Sequence, residues 1–158
     1  MRLWRIATET RAYRADDLSG RGAAAHPGRW NDDGQPVVYC APSIAMAVLE
    51  TAAHIDTTGL PLNRFLVAID VPDAAWAART ILGAAALPVA WRAIPAGSAS
   101  VSQGSRWCAG GASAILEVPS AIVPEEPVCV INPGHADAAV CTASVVRAFE
   151  YDLLFRPS

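Results

Sequence analysis

Apolar positions along the chain follow two periods, one suited to strands and one to helices, and their changes mark the elements. Residues 3–7 are short and apolar around Arg5 and read as a first strand. Residues 8–34 show no sustained period and are rich in Gly, Ala and Arg. A loop that long in a compact domain is more often functional than accidental. Residues 36–41, with Val37, Val38 and Tyr39, form a second strand. Pro42 and Ser43 punctuate it, and Ser43 is placed to cap a helix running to about His54. Within that helix Ile44, Met46, Val48, Leu49 and Ala53 recur with no internal proline or glycine. Residues 64–71 make a third, nearly continuous apolar strand closed by Pro72.

From 74 to 97 the pattern decides little, since Trp76, Leu82, Leu87 and Trp91 fit short helices broken at Gly83 and Pro88. A short helix over 101–108 follows, then strands at 114–118 and 128–132 joined by proline-punctuated turns. A last strand at 145–151 completes the sheet before a short tail. Strands and helices do not alternate regularly. The pattern therefore predicts a single compact α+β domain over residues 1–158, a mixed sheet with helices, rather than a doubly wound parallel sheet.

A chain of 158 residues that is 53% hydrophobic fills one sizeable core and leaves little for a second. Its formal charge of -3 predicts no basic footprint for nucleic acid. All 12 basic residues are arginine, and six of them, from Arg2 to Arg29, stand near the start. Planar guanidinium groups there suit phosphate or carboxylate ligands, although an alanine-rich chain without lysine also fits the codon usage of a GC-rich genome. The four cysteines stand singly, with no metal-ligand spacing, and read as small buried hydrophobes with reduced thiols. The N-terminus shows no signal-peptide pattern, and no apolar run approaches the roughly 20 residues of a membrane span. The expectation is a cytoplasmic protein that does not engage a membrane.

Glu50 is the only charged residue between Gly34 and Ala53, on a helix apolar nearly all round. An isolated buried carboxylate is very costly, so Glu50 either faces a cleft or pairs with His54 one turn later. Arg29 and Trp30 lie in the glycine-bounded run from His26 to Gly34, which reads as an anion site beside a planar group or as a loop closed by tryptophan. Tyr39 reads as core or as a ring meeting a ligand. Ser120 follows a proline at a strand end, an exposed position from which it hydrogen-bonds a ligand or merely shapes a turn. No G-x-S-x-G elbow surrounds it. His135 reads as a turn residue, and the chain holds neither a Walker A loop nor a G-x-G-x-x-G fingerprint.

Taken together, the pieces resemble the RES domain, a family named for its arginine, glutamate and serine and found as the toxin half of bacterial toxin-antitoxin pairs. They are Leu3-Trp4-Arg5-Ile6, Ser19-Gly20-Arg21-Gly22, Gly28-Arg29-Trp30-Asn31 with Gly34, Val37-Val38-Tyr39, Leu49-Glu50, Trp107, the run from Val118 through Ser120 to Pro124, and Asn132-Pro133. Pro27 and the pair Ser105-Arg106 depart from the pattern. The resemblance implies a fold like that of ADP-ribosyltransferases and a cytoplasmic enzyme that cleaves the nicotinamide glycosidic bond of NAD, by hydrolysis or phosphorolysis. It implies that Arg29, Tyr39 and Glu50 are catalytic and that Arg5, Arg29, Tyr39 and Ser120 contact NAD. NAD enters as substrate, with no cofactor and no metal. The implied partner is an Xre-type helix-turn-helix antitoxin, in a complex that allows a homo-oligomer of the toxin. A protein ADP-ribosyltransferase is the rival enzyme, and a catalytically silent partner-binding module the rival of another class. A nuclease is disfavoured by the acidic balance.

Overall fold

The computed structural model describes residues 1–55, 62–152 and 154. Its strands form two sheets instead of the single mixed sheet expected. The first sheet joins β1 (Arg2–Thr8), β3 (Arg64–Asp70) and β7 (Thr142–Phe149) in the order β1-β3-β7, antiparallel throughout. The second has the order β2-β6-β5-β4 and consists of β2 (Val38–Cys40), β4 (Thr80–Ile81), β5 (Ile115–Pro119) and β6 (Pro127–Ile131). It is mixed, because β4 runs parallel to β5 while its other pairs are antiparallel. An isolated bridge between Trp4 and Ala41 brings β1 beside β2.

Among the described residues four helices complete the α+β domain: α1 (Arg21–Ala25), α2 (Ile44–Ala52), α3 (Asp73–Ala77) and α4 (Ser98–Gly110). The expected loop over 8–34 thus contains one short helix. Ser43 caps α2 as its sequence position implies, its side chain accepting from the Met46 amide at 3.1 Å. The helix expected over 101–108 is longer at both ends and stops at Gly111, whose φ of 59° is the left-handed conformation that glycine adopts freely. The last strand begins and ends earlier than expected, and the tail beyond it falls mostly outside the described residues. The undecided segment 74–97 resolves into α3, β4 and two 3₁₀ turns, Ala84–Ala86 and Val89–Arg92. Such short pieces impose no lasting period on a sequence.

Side chains alternate across each strand, so the two sheets present three apolar layers. Leu3, Ala7, Val67 and Ile69 of the first sheet pack with Val38, Cys40, Ile115, Cys129 and Ile131 of the second. On the far side of the second sheet, Leu116, Val118, Val128 and Val130 pack with Trp30, Met46, Ala47, Trp91 and Trp107. On the far side of the first, Ile6 and Leu66 meet Val48 and Ala52. Helix α2 therefore contributes to both outer layers and straddles the junction of the sheets, which is where Glu50 lies.

Because Ile115 is fully buried between the sheets, Ile115→Ala is expected to cost about 2–5 kcal/mol through lost burial and the cavity left behind. Urea unfolding checks this, as a lowered midpoint with an unchanged slope.

Candidate active site

The loop carrying Arg29 is organised by a buried amide. Asn31 is fully buried, and its Oδ1 accepts from the Gly28 amide at 2.8 Å and from the Tyr39 hydroxyl at 2.7 Å. Its Nδ2 donates to the carbonyls of Ala23, Asp32 and Gln35 at 2.9, 3.2 and 3.0 Å. A carboxamide has two donor hydrogens and one acceptor oxygen, so these contacts fill its capacity. The Tyr39 oxygen accepts in turn from the Trp30 amide at 2.9 Å. Burial pushes the Tyr39 phenol far above its ordinary range, against the opposing influences of the Trp30 amide and the Arg29 charge. The phenol therefore keeps the proton that it donates to Asn31.

Close packing fixes the same loop from two other directions. A Cβ on Gly28 would lie 2.7 Å from the Tyr39 oxygen, which is already pinned by two hydrogen bonds. A Cβ on Gly104 would lie 1.9 Å from the Trp30 carbonyl oxygen, so α4 passes the loop only because glycine stands there. The Trp30 ring is buried and stacks on Trp91 at 6.1 Å between centroids.

From this support Arg29 reaches the segment after α3. Its Nη1 donates to the carbonyls of Trp91 and Ala93 at 2.7 and 2.9 Å. The Nε–Nη2 edge keeps no protein partner among the described residues. Partial burial lowers the Arg29 pKa, opposed by the neighbouring Glu50 and Tyr39, while the charge of Arg92 lowers it further.

Glu50 projects from α2 toward the end of β5. The Ser120 hydroxyl donates to its Oε1 at 2.5 Å and accepts from the amides of Ile122 and Val123, both at 3.0 Å. A hydroxyl has one hydrogen, so Ser120 has none left for a ligand. Glu50 Oε2 has no hydrogen-bond partner among the described residues, and no ion pair within 4 Å joins Glu50 to Arg29. A partly desolvated cation and an oriented carboxylate thus influence one another without being bridged by protein. Such a pair is suited to a ligand carrying negative charge at one end and developing positive charge at the other.

The structure brings Arg29, Tyr39, Glu50 and Ser120 together and corrects several expectations. Ser120 is completely buried rather than exposed, and its hydroxyl donates to Glu50. Glu50 makes no pair with His54, because its carboxylate turns to Ser120. Arg5 is not brought into this group. Strand alternation puts Arg5 on the face of Cys40, opposite the face of Tyr39. Burial lowers the Arg5 pKa, opposed by Cys40, Asp17 and Tyr13, and its buried Nε finds no protein partner among the described residues. Arg21 is exposed, and His135 shapes a turn by accepting from the Asp137 amide. Burial pushes the four thiols up, Cys129 to about 12, so none supplies a thiolate at neutral pH. Among the described residues no cluster of His, Cys, Asp or Glu can hold a metal ion, and no helix is long and apolar enough to cross a membrane.

Two residues that the sequence did not single out belong to this geometry. Asn31 stands in the quoted run beside Arg29, but only the fold reveals its five contacts. Arg92 donates from Nη2 to the Ala121 carbonyl at 3.2 Å, one residue beyond Ser120.

A two-sheet α+β domain that sets an arginine, a tyrosine and a serine-held glutamate at the junction of its layers defines a narrow class. The chain matches the RES domain model over residues 2–153 and belongs to that family. It is 52% identical over 149 residues to a protein of Sphingobium sp. strain YBL2 named Prs ADP-ribosylating toxin, covering 94% of this chain and 92% of the relative. It is 34% identical over 145 residues to Toxin Res of Yersinia enterocolitica, covering 92% of each. In fold it is similar to a chain in the crystal structure of the M. tuberculosis MbcT-MbcA toxin-antitoxin complex, with a TM-score of 0.65 at 19% identity over 92% of this chain and 84% of that one.

Asn31→Ala is expected to leave the Gly28 amide and Tyr39 hydroxyl without their acceptor, at about 1–3 kcal/mol for each buried group that stays unpaired. Urea unfolding and hydrogen exchange measure it: amide exchange at Gly28 and Trp30 accelerates, whereas unchanged exchange in the folded variant would show that Asn31 does not hold the loop.

Proposed function

We propose that the chain is the toxin of a toxin-antitoxin pair and that it cleaves the nicotinamide glycosidic bond of NAD. The observation that carries this reading is the unbridged arrangement of Arg29 and Glu50, with Glu50 held by Ser120. The nicotinamide ring of NAD is a cation and leaves as a neutral molecule, so departure needs no general acid. Positive charge instead accumulates on the ribose, and a preorganised carboxylate stabilises it where water is excluded. Glu50 serves this purpose through its Oε2, or by holding the ribose hydroxyls. Ser120 keeps the carboxylate from rotating.

Arg29 takes the pyrophosphate through its Nε–Nη2 edge, the side-on fork that matches two phosphate oxygens. Its Nη1 remains tied to backbone, which fixes the direction of the fork. Tyr39 contributes its ring face to the nicotinamide, since both hydrogen bonds of its hydroxyl are committed to the loop. The released ADP-ribosyl group passes to water or inorganic phosphate. A second acceptor, a protein side chain, is favoured by the Sphingobium relative, whose name describes an ADP-ribosylating toxin. The MbcT-MbcA likeness and the Res relatives support an antitoxin partner, which we assign to the Xre helix-turn-helix type and expect to cover this site.

Kinetics of two variants test the proposal. Glu50→Gln keeps shape but removes charge, so it should fold and bind NAD while turnover falls by about 100- to 1,000-fold. Arg29→Ala should instead weaken NAD binding, because its guanidinium serves ground and transition states alike. Thermal melts control for folding. Near-normal turnover by folded Glu50→Gln would return Glu50 to a structural role.

A further inference from the structure

We propose that Arg92 is a second anion-binding residue of the same site, taking one phosphate of a diphosphate whose other phosphate lies on Arg29. The inference rests on the reading that the site holds a dinucleotide, and it adds a residue to which no role has been assigned.

Three observations carry it. First, the two carbonyls that accept from Arg29 Nη1 belong to Trp91 and Ala93, the residues on either side of Arg92. The Arg29 guanidinium is therefore seated against the backbone from which Arg92 springs. Second, Arg92 donates to the carbonyl of Ala121, next to the serine that holds Glu50. This contact places the Arg92 head group on the rim shared by Arg29 and Glu50. Third, among the described residues neither arginine is neutralised in an ion pair, although Arg2, Arg14 and Arg79 each have a carboxylate partner. The charge of Arg92 also lowers the pKa of Arg29, a like-charge opposition that a bound dianion would relieve.

The base of Arg92 is rigid while its head remains exposed. Trp91 is buried and stacked on Trp30, which fixes the backbone at this point. Arg92 itself is exposed, with its guanidinium carbon 5.9 Å from the Trp91 ring centroid. A fixed stem with an accessible planar donor group suits a residue that meets an incoming phosphate with little ordering cost. The two guanidinium groups would share the negative charge of a pyrophosphate, which neither a lone phosphate-free nucleoside nor a neutral ring supplies.

The test compares Arg92→Ala with wild type and with Arg106→Ala, which removes an exposed arginine of α4 that donates within its own helix. Calorimetry measures the affinity for ADP and NAD, and kinetics follow cleavage of NAD and of nicotinamide riboside, which has no phosphate. Loss of a charge-assisted hydrogen bond predicts weakening of ADP and NAD by about 10- to 100-fold in Arg92→Ala. The KM for NAD rises with kcat retained, cleavage of nicotinamide riboside is unchanged, and Arg92→Lys recovers part of the affinity. Wild-type affinity for ADP in folded Arg92→Ala, or equal losses with nicotinamide riboside, would overturn the assignment while leaving the NAD reading in place. A folded wild-type protein that binds neither ADP nor NAD would overturn both.

Discussion

The site depends on one buried side chain, the carboxamide of Asn31. Its oxygen ties Gly28 to Tyr39, and its nitrogen gathers the carbonyls of Ala23, Asp32 and Gln35. A loop has no ladder of its own to satisfy backbone groups, so a buried loop must find partners elsewhere. Here a single amide supplies several of them and anchors the loop to Tyr39 on a strand of the second sheet. Arg29 is held at its root by that anchor and at its tip by Trp91 and Ala93. The direction of its remaining donors follows from these constraints.

The layers determine where Glu50 meets this loop. Helix α2 contributes Met46 and Ala47 to the layer outside the second sheet and Val48 and Ala52 to the layer outside the first. A carboxylate emerging at that junction is oriented by Ser120, which stands at the end of β5 on the same face as Leu116 and Val118. The two turn amides that bond Ser120 leave its hydrogen directed at Glu50. Orientation of the carboxylate is thus built into the strand end and its turn, in the manner expected of a site whose charges are fixed before substrate arrives.

Much of this was legible in the chain because local rules and tertiary packing agree. The lone charge of Glu50 in an apolar helix is a real anomaly that the fold resolves with Ser120. Tyr39 on a strand and Arg29 in a glycine-bounded loop fall beside it. The separation of the strands into two sheets was not legible, since alternation identifies a strand's faces without saying which sheet it joins. By the same limit, the face that Arg5 occupies becomes clear only from the bridge between β1 and β2. The partner of Ser120 lies 70 positions away in sequence, beyond any local pattern. Segment 74–97 stayed undecided because elements of two to five residues establish no period, and this is where Arg92 lies.

The central claim is that this assembly breaks one bond, between nicotinamide and ribose. NAD carrying one label in nicotinamide and another in adenine, incubated with the purified protein, tests it most directly when both labels are followed by chromatography and mass spectrometry. The account predicts that the first label leaves as free nicotinamide while the second remains with ADP-ribose, free, phosphorylated or attached to protein. Cleavage at the pyrophosphate, releasing the adenine label as AMP with nicotinamide still bound to its ribose, would contradict it, as would intact NAD after incubation with folded protein and acceptors of all three kinds.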